Sequence, residues 1–342
     1  MTDLDPPVTT PEPGRGGRHR RRRGAVPPAP PSPEESFFGG QAGTAADGST
    51  MEVHALDPDG PQPVSPPLEQ PTTGAAGRNL PVAIAVGLGL AVLVVVPLFT
   101  YRPAFVLVLA AAAVLGGWEL VRAIQPIEAR PPVVPLAVGG IATIAMAWAA
   151  GVEALMLGLL LTVVAVVVWR IPDGPVGFQR DVTAAALVAV YIPFLAGFAV
   201  LLVTPPDGAY RVIAFIATVV CSDVGGYVVG VRFGRHPMAP TVSPKKSWEG
   251  MAGSLAACAV AGVCFLVFFF GAAWWQGVLF GLALAVAATL GDLAESMLKR
   301  DLGIKDMSTL LPGHGGLMDR LDSLLLAAPI AYLLLELFAP PS

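Results

Sequence analysis

Acids, bases and glycines gather in the stretch Ser296 to Asp322, S-M-L-K-R-D-L-G-I-K-D-M-S-T-L-L-P-G-H-G-G-L-M-D-R-L-D, a short connection between two strongly apolar segments. Charged residues make up only 13% of a chain that is 54% hydrophobic, so such a concentration calls for a cause. Polar groups at the mouth of a membrane bundle are costly to hold there, and they persist mostly where they do chemistry. Just upstream, Gly291-Asp292-Leu293-Ala294-Glu295-Ser296 extends the pattern. If the helix that holds it runs past the membrane, Asp292, Glu295, Ser296 and Lys299 share one face at three- and four-residue spacing, with Arg300 one turn from Ser296. A structural alternative pairs Asp292 with Lys299 or Arg300.

The downstream part adds Lys305-Asp306 and Pro312-Gly313-His314-Gly315-Gly316. Glycine frees the backbone there, so N–H groups can turn toward a phosphate. His314 reads equally as a general base, a phosphate donor or a plain loop histidine. Asp319-Arg320-Leu321-Asp322 then opens a helix with two carboxylates three residues apart, where the helix dipole favours acids and either could serve as a cap.

Two other constellations match this one in chemistry. Asp223, in Ser222-Asp223-Val224-Gly225-Gly226-Tyr227, lies inside an apolar run and needs a cation, a metal or water, because a lone charge at that depth costs about 2.5 to 3.5 kcal/mol. Gly226, Gly230 and Gly234 recur every fourth residue and suit close approach of another helix. In Ser243-Pro244-Lys245-Lys246-Ser247-Trp248-Glu249-Gly250, Ser243 as N-cap and Pro244 at the first helical position predict a helix start. Both lysines would then oppose the helix dipole unless an anion binds between them and the backbone N–H groups. The plainer alternative is a lysine pair that only fixes membrane topology. Oxygen ligands, lysines, an arginine pair and glycine loops are what a divalent metal and a polyphosphate require; Mg²⁺ keeps several waters, so a few aspartates suffice.

The elements that must position these groups are membrane spans. Mean hydropathy is +0.66. Repeated apolar runs near the length of a bilayer crossing predict an all-α, polytopic transmembrane helical bundle. Apolar segments fall at Leu80 to Phe99, Pro103 to Val121, Val133 to Ala149, Val152 to Trp169, Val182 to Val203, Val212 to Val231, Met251 to Gly271, Trp274 to Leu293 and Ser323 to Phe338, about nine spans. Arg122, Arg130, Arg170, Arg180, Arg232, Arg235, Lys245, Lys246, Lys299, Arg300, Lys305 and Arg320 all fall in loops on one side, whereas the other side holds only Arg102 and Arg211. The positive-inside rule makes the richer side cytoplasmic, with the N-terminus and every candidate group on it and the C-terminus outside.

Residues 1–78 differ: rich in Pro, Gly, Ser and acids, they predict a disordered cytoplasmic tail, and residues 79–342 the membrane domain. The block Arg15 to Arg23 has no following apolar stretch of signal-peptide type, so it reads as a solvated basic segment. The net charge of −4 says little, since most charge lies in the tail and loops, where no large basic surface for nucleic acid shows. Cys221, Cys258 and Cys264 lie in apolar runs, without metal-ligand spacing.

The run S-M-L-K-R, four residues, K-D, then L-P-G-H-G-G-L-M-D-R-L-D resembles the signature of the phosphatidate cytidylyltransferases, or CDP-diacylglycerol synthases. G-D-L-A-E-S and S-P-K-K-S-W-E-G are similar to further blocks of that family, and the resemblance runs from about Ala150 to the C-terminus. Gly226 stands where the family pattern D-x-G-A-Y has alanine, and Ser247 where threonine is usual; neither change removes a charge. The resemblance implies conversion of CTP and phosphatidate into CDP-diacylglycerol and pyrophosphate at the cytoplasmic face of the cell membrane, with one or two Mg²⁺ ions. It implies metal ligation by Asp223, Asp292 and Asp319, with Asp322 as a further ligand or water holder. Lys245, Lys246, Ser243, Ser296, Gly313, Gly315 and Gly316 would bind substrate, and Lys299, Arg300, Lys305, Asp306, His314 and Arg320 would complete the catalytic anion site. Membrane lipid is the implied surroundings, nucleic acid is not a partner, and oligomeric state stays open, a homo-oligomer included. Competing readings are another metal-nucleotide lipid transferase or kinase and an ion-coupled transporter. Polar groups clustered in loops rather than at the midplane, with no internal repeat, weigh against the transporter.

Overall fold

The computed structural model describes residues 80–308, 310–311 and 315–341. The expected tail, residues 1–78 with its basic block, lies outside the described residues, as do Gly313 and His314. In hydrocarbon every backbone N–H and C=O must be satisfied within the protein, and a run that spans alone can do so only as a helix. The described residues follow this rule in α1 (Leu80–Thr100), α2 (Arg102–Ala123), α3 (Val133–Arg170), α4 (Phe178–Ala189), α5 (Leu195–Val203), α6 (Gly208–Phe233), α7 (Trp248–Phe270), α8 (Trp274–Asp301) and α9 (Met318–Phe338). A π-helical turn, Val190–Phe194, joins α4 to α5. Pro193 within it has no N–H to give, and the wider turn absorbs the missing bond. Outside the helices, β1 (Pro237–Ala239) and β2 (Ser243–Ser247) pair as a short antiparallel hairpin.

Among the described residues seven helical stretches are long and apolar enough to cross a membrane. The difference from nine has two sources. The apolar run of α1 is short, Ile84–Thr100. The third and fourth expected segments are both present as the two arms of α3, which meet at Ala150 and Gly151 outside helical geometry, Gly151 at φ +78°, and the count of seven takes the two arms as one stretch. Beyond the bend the chain returns along itself: a Cβ on Gly158 would lie 2.8 Å from Thr143 Cα. The Thr143 and Thr162 hydroxyls of the two arms meet at 3.2 Å.

Helices α6, α7, α8 and α9 pack in sequence, each against the next; α5 packs on α6 and α9, α2 touches α9, and α3 packs on α2, α4 and α5. Glycines set the spacing in the first group, as the four-residue pattern predicted for α6. A Cβ on Gly226 would come within 2.6 Å of Ser254 Oγ in α7. The α7–α8 contact is closer still, a Cβ on Gly281 falling 2.0 Å from the Cys258 carbonyl oxygen. Such backbone proximity fixes the relative height and rotation of the helices that carry the polar groups.

The bundle has two distinct ends. At one, Arg211 is almost fully buried and donates to Asp207 at 2.8 Å, with Glu336 3.8 Å away, tying the start of α6 to the end of α9. Arg102 donates to the Pro205 carbonyl nearby at 2.7 Å. The two arginines of the charge-poor side are therefore internal ties. At the other end, buried Asp181 accepts from Arg170 Nε at 2.9 Å and from the Arg130 backbone at 2.8 Å, which joins α3, α4 and the loop after α2. The candidate functional groups lie at this second end.

Candidate active site

A cavity of about 440 Å³ opens between α6, the hairpin, α7, α8 and α9, and its wall carries Asp223, Asp292, Lys245, Lys246 and Arg320. Asp223 comes from α6, two turns and more before that helix ends, and Asp292 from α8. The two carboxylates repel each other, and Asp322 adds to the repulsion, while Lys246 and Arg320 attract Asp223. Lys246 Nζ forms an ion pair with Asp292 Oδ2 across the cavity. Asp292 is thus partnered by the hairpin rather than by Lys299 or Arg300 on its own helix.

The lysines reach the cavity by a different route from the one their sequence predicts. Ser243 and Pro244 do not start a helix; Ser243–Ser247 is strand β2, with Ser243 in register with Ala239. The helix begins four residues later, where Ser247 Oγ accepts from the Gly250 N–H at 3.1 Å. Two cap signals, S-P-K-K and S-W-E-G, compete, and the second has an acid rather than two lysines in its first turn, which the helix dipole favours. Glu249 also grips the other side of the hairpin, accepting from the Arg235 and His236 N–H groups and facing His236 Nδ1 at 2.6 Å. Ser243 is consequently a strand residue outside the cavity wall, whereas Ser247 lies on it.

Helix α8 does continue through Asp301, as the spacing of its charged residues predicts. Lys299 lies 3.3 Å from Glu295, one turn back, and 2.8 Å from Asp319 of α9. Glu295 is fully buried, and its oxygens lack a well-formed hydrogen bond among the described residues; they face Lys299 and the neighbouring Asp322. Ser296 is half-buried and does not line the cavity. Arg300 lies on the other side of α8, where it donates to the Val242 carbonyl at 3.3 Å and lines a separate, largely apolar recess of about 840 Å³. Lys305 and Asp306 are exposed on the connection that follows.

Asp319 makes its contacts with Lys299 and the loop before α9. It accepts from Lys299 at 2.8 Å, from the Gly316 N–H at 2.7 Å and from the Met307 N–H at 3.1 Å, and it does not line the cavity. Asp319, expected beside Asp223 and Asp292 as a metal ligand, has its oxygens engaged by Lys299 and two backbone N–H groups. Among the described residues no three His, Cys, Asp or Glu side chains are grouped to hold a metal. Of the glycine run, two residues are described: the Gly316 N–H turns inward to Asp319, and the carbonyl of Gly315, at φ +79°, accepts from the Leu311 N–H at 2.8 Å.

One group at this end escaped the sequence reading. Glu119, near the end of α2, has no exposed surface and accepts from Ser308 Oγ, from the Leu317 N–H at 3.0 Å and from the Met318 N–H at 2.8 Å. The signal was present, an acid within the apolar run G-G-W-E-L, and it is the same signal that singled out Asp223.

Residues 81–338 match the model of the cytidylyltransferase family. The chain is similar to the phosphatidate cytidylyltransferase of Mycobacterium leprae (strain TN), 43% identical over 281 residues that take in 78% of this chain and 90% of that protein. It resembles the phosphatidate cytidylyltransferase of Mycobacterium bovis (strain ATCC BAA-935 / AF2122/97) at 40% identity over 294 residues, 79% of this chain and 96% of that one. The protein of the same name from Brucella suis biovar 1 (strain 1330) is 37% identical over 153 residues, 43% of this chain and 57% of its own. With a cavity that sets two acids against three cations at one end of a membrane bundle, and with this match across all its described helices, the chain belongs to the cytidylyltransferase family.

Proposed function

We propose that this membrane protein transfers CMP from CTP to phosphatidate, giving CDP-diacylglycerol and pyrophosphate. The observation that carries the reading is the cavity at one end of the bundle, where Asp223 and Asp292 face Lys245, Lys246 and Arg320. The family match favours cytidylyl transfer over the kinase, other transferase and transporter readings. The reaction joins two anions. An oxygen of the lipid phosphate attacks the α-phosphorus of CTP, a new P–O bond forms, the α–β phosphoanhydride bond breaks, and its electron pair leaves with pyrophosphate. A phosphate monoester is already a competent nucleophile, so the protein's task is to offset repulsion, align the attack and stabilise the leaving group. Lys245 and Lys246, neighbours on β2, and Arg320, in the first turn of α9, do this from two elements that line one cavity.

Mg²⁺ suits the donor set on the cavity wall. Asp223 and Asp292 offer oxygen only, and two carboxylates are enough for an ion that takes its other ligands from water and triphosphate. Such an ion supplies Lewis-acid stabilisation of charge on the phosphoryl oxygens. Repulsion between Asp223 and Asp292 holds the pair ready for a cation, and Lys246 occupies Asp292 until substrate phosphate competes for that ammonium. Asp322, behind Asp292, adds negative potential, and Asp319 anchors the loop that leads into Arg320.

The site faces the cytoplasm in the cell membrane on this reading. Lys and Arg concentrate at the same end of the bundle, and the two arginines at the other end are consumed by internal ties. The purified chain in detergent–phosphatidate micelles tests the reaction with labelled CTP or ATP. Label is expected in lipid from CTP, with matching pyrophosphate release and loss on chelation of divalent cations. Label entering lipid from ATP but not from CTP would overturn it.

A further inference from the structure

Helix α9 starts without a cap of its own. Its N-cap position is Leu317, whose side chain can accept nothing, so the first N–H groups of the helix need an acceptor from elsewhere. Glu119 supplies it from α2, taking the Leu317 and Met318 N–H groups at 3.0 and 2.8 Å. The same carboxylate accepts from Ser308 Oγ, at the other end of the connecting loop. Asp319 repeats the pattern, bridging the Met307 N–H at 3.1 Å and the Gly316 N–H at 2.7 Å. Two carboxylates therefore cinch the neck of the loop, one from within α9 and one from a helix almost two hundred residues upstream. Gly316 is squeezed between them: a Cβ there would lie 3.0 Å from Asp319 Oδ2 and 3.1 Å from Glu119 Oε2.

What this neck positions is Arg320. It lies in the first turn of α9, two residues beyond Met318, and lines the cavity that Asp223 and Asp292 share. A buried carboxylate accepting from helix N–H groups gains from both charge-assisted hydrogen bonds and the helix dipole, so it holds that helix start firmly. We propose that Glu119 is a positioning residue for the transfer step: it fixes the first turn of α9, and through it the guanidinium that meets the triphosphate. The role rests on the cytidylyltransferase reading given above. Glu119 does not line the cavity, so it acts through Arg320 and not by touching substrate.

The test combines exchange and kinetics on the full chain in detergent micelles. Glu119→Gln keeps the shape of the side chain but puts an NH₂ group against backbone N–H donors. It should speed hydrogen exchange at the Leu317 and Met318 amides and lower kcat/KM for CTP about 10-fold to 100-fold, the range for losing a charged, buried hydrogen-bond acceptor. The deciding comparison is a double-mutant cycle. In an Arg320→Ala background, Glu119→Gln should cost less than about 3-fold, because the group it positions is gone. Ser308→Ala removes one staple without disturbing the helix cap, and should show the same sub-additivity at smaller size. Full additivity with Arg320→Ala in both variants would make Glu119 a general stabiliser and overturn the proposal. So would an unchanged exchange rate at Leu317 and Met318. The exchange result is readable whether or not the protein makes CDP-diacylglycerol, which separates failure of this inference from failure of the functional reading.

Discussion

Gly281→Ala puts the link between helix spacing and catalysis to a quantitative test. The added Cβ would sit 2.0 Å from the Cys258 carbonyl oxygen, 2.4 Å from its carbon and 2.8 Å from the Ala259 nitrogen. Ordinary contact begins near 3.4 Å, so 3.4 − 2.0 = 1.4 Å of overlap must be relieved. Every obstructing atom is backbone, and no rotamer change relieves it; α8 must move away from α7. Overpacking of this kind costs about 1 to 3 kcal/mol of stability. Asp292 lies eleven residues further along α8, about 16 Å at 1.5 Å per residue. A stiff helix displaced at Gly281 carries that displacement toward Asp292, and a misplacement of about 1 Å in a reacting constellation costs roughly 100-fold in rate. The assay is CDP-diacylglycerol formation by the purified variant, read beside thermal loss of helical circular dichroism. Gly89→Ala is the control, since a Cβ at Gly89 meets nothing within 4 Å. Wild-type rate and melting temperature in Gly281→Ala would refute the claim that this contact sets the geometry of the site.

Three further outcomes follow from the same contacts. Ser247→Ala should destabilise the start of α7 by about 1 kcal/mol, as loss of an N-cap does, while Ser243→Ala should leave melting unchanged; equal effects would contradict the hairpin assignment. Lys246→Met leaves Asp292 without its partner beside Asp223, and should raise KM for CTP more than about 10-fold with little change in melting temperature; an unchanged KM would remove Lys246 from the anion site. Arg170→Ala removes the closest guanidinium from the buried Asp181 carboxylate, which keeps the Arg130 N–H and Arg180 at 3.9 Å, and should cost about 1.5 to 3 kcal/mol in unfolding titrations, against less than about 1 kcal/mol for exposed Arg180→Ala; similar values for the two would contradict the tie between α3 and α4.

Much of the architecture is written in the hydropathy of the chain, because a bilayer leaves apolar runs few choices of structure. The fold-back of α3 is equally local, marked by the Gly151 that alone takes a positive φ in that element. The glycine pattern of α6 predicted close helix contact, and Gly226 provides it against Ser254. What the sequence hides is which charges meet. Asp292 finds Lys246 on the hairpin rather than Lys299 seven residues along its own helix, since the partner depends on how α6, α7 and α8 are spaced. The start of α7 falls four residues beyond the first serine cap signal, because two serine caps compete and the helix dipole favours the second. Asp319 looked like an ion ligand from its motif, yet its oxygens point back into the loop, a preference set by Lys299 and two backbone N–H groups that no local pattern reveals. Glu119 sits so far upstream that only the packing of α2 on α9 joins it to the site.

The central claim is that Asp223 and Asp292, brought together from α6 and α8, form one cation-binding wall for the nucleotide. It is tested most directly by CTP-dependent labelling of phosphatidate across a Mg²⁺ titration, with Asp223→Asn and Asp292→Asn measured beside the unaltered chain. The account predicts that each change lowers turnover at limiting Mg²⁺ by about 100-fold or more and shifts the Mg²⁺ requirement upward. Near-normal labelling by either variant at limiting Mg²⁺ would contradict it.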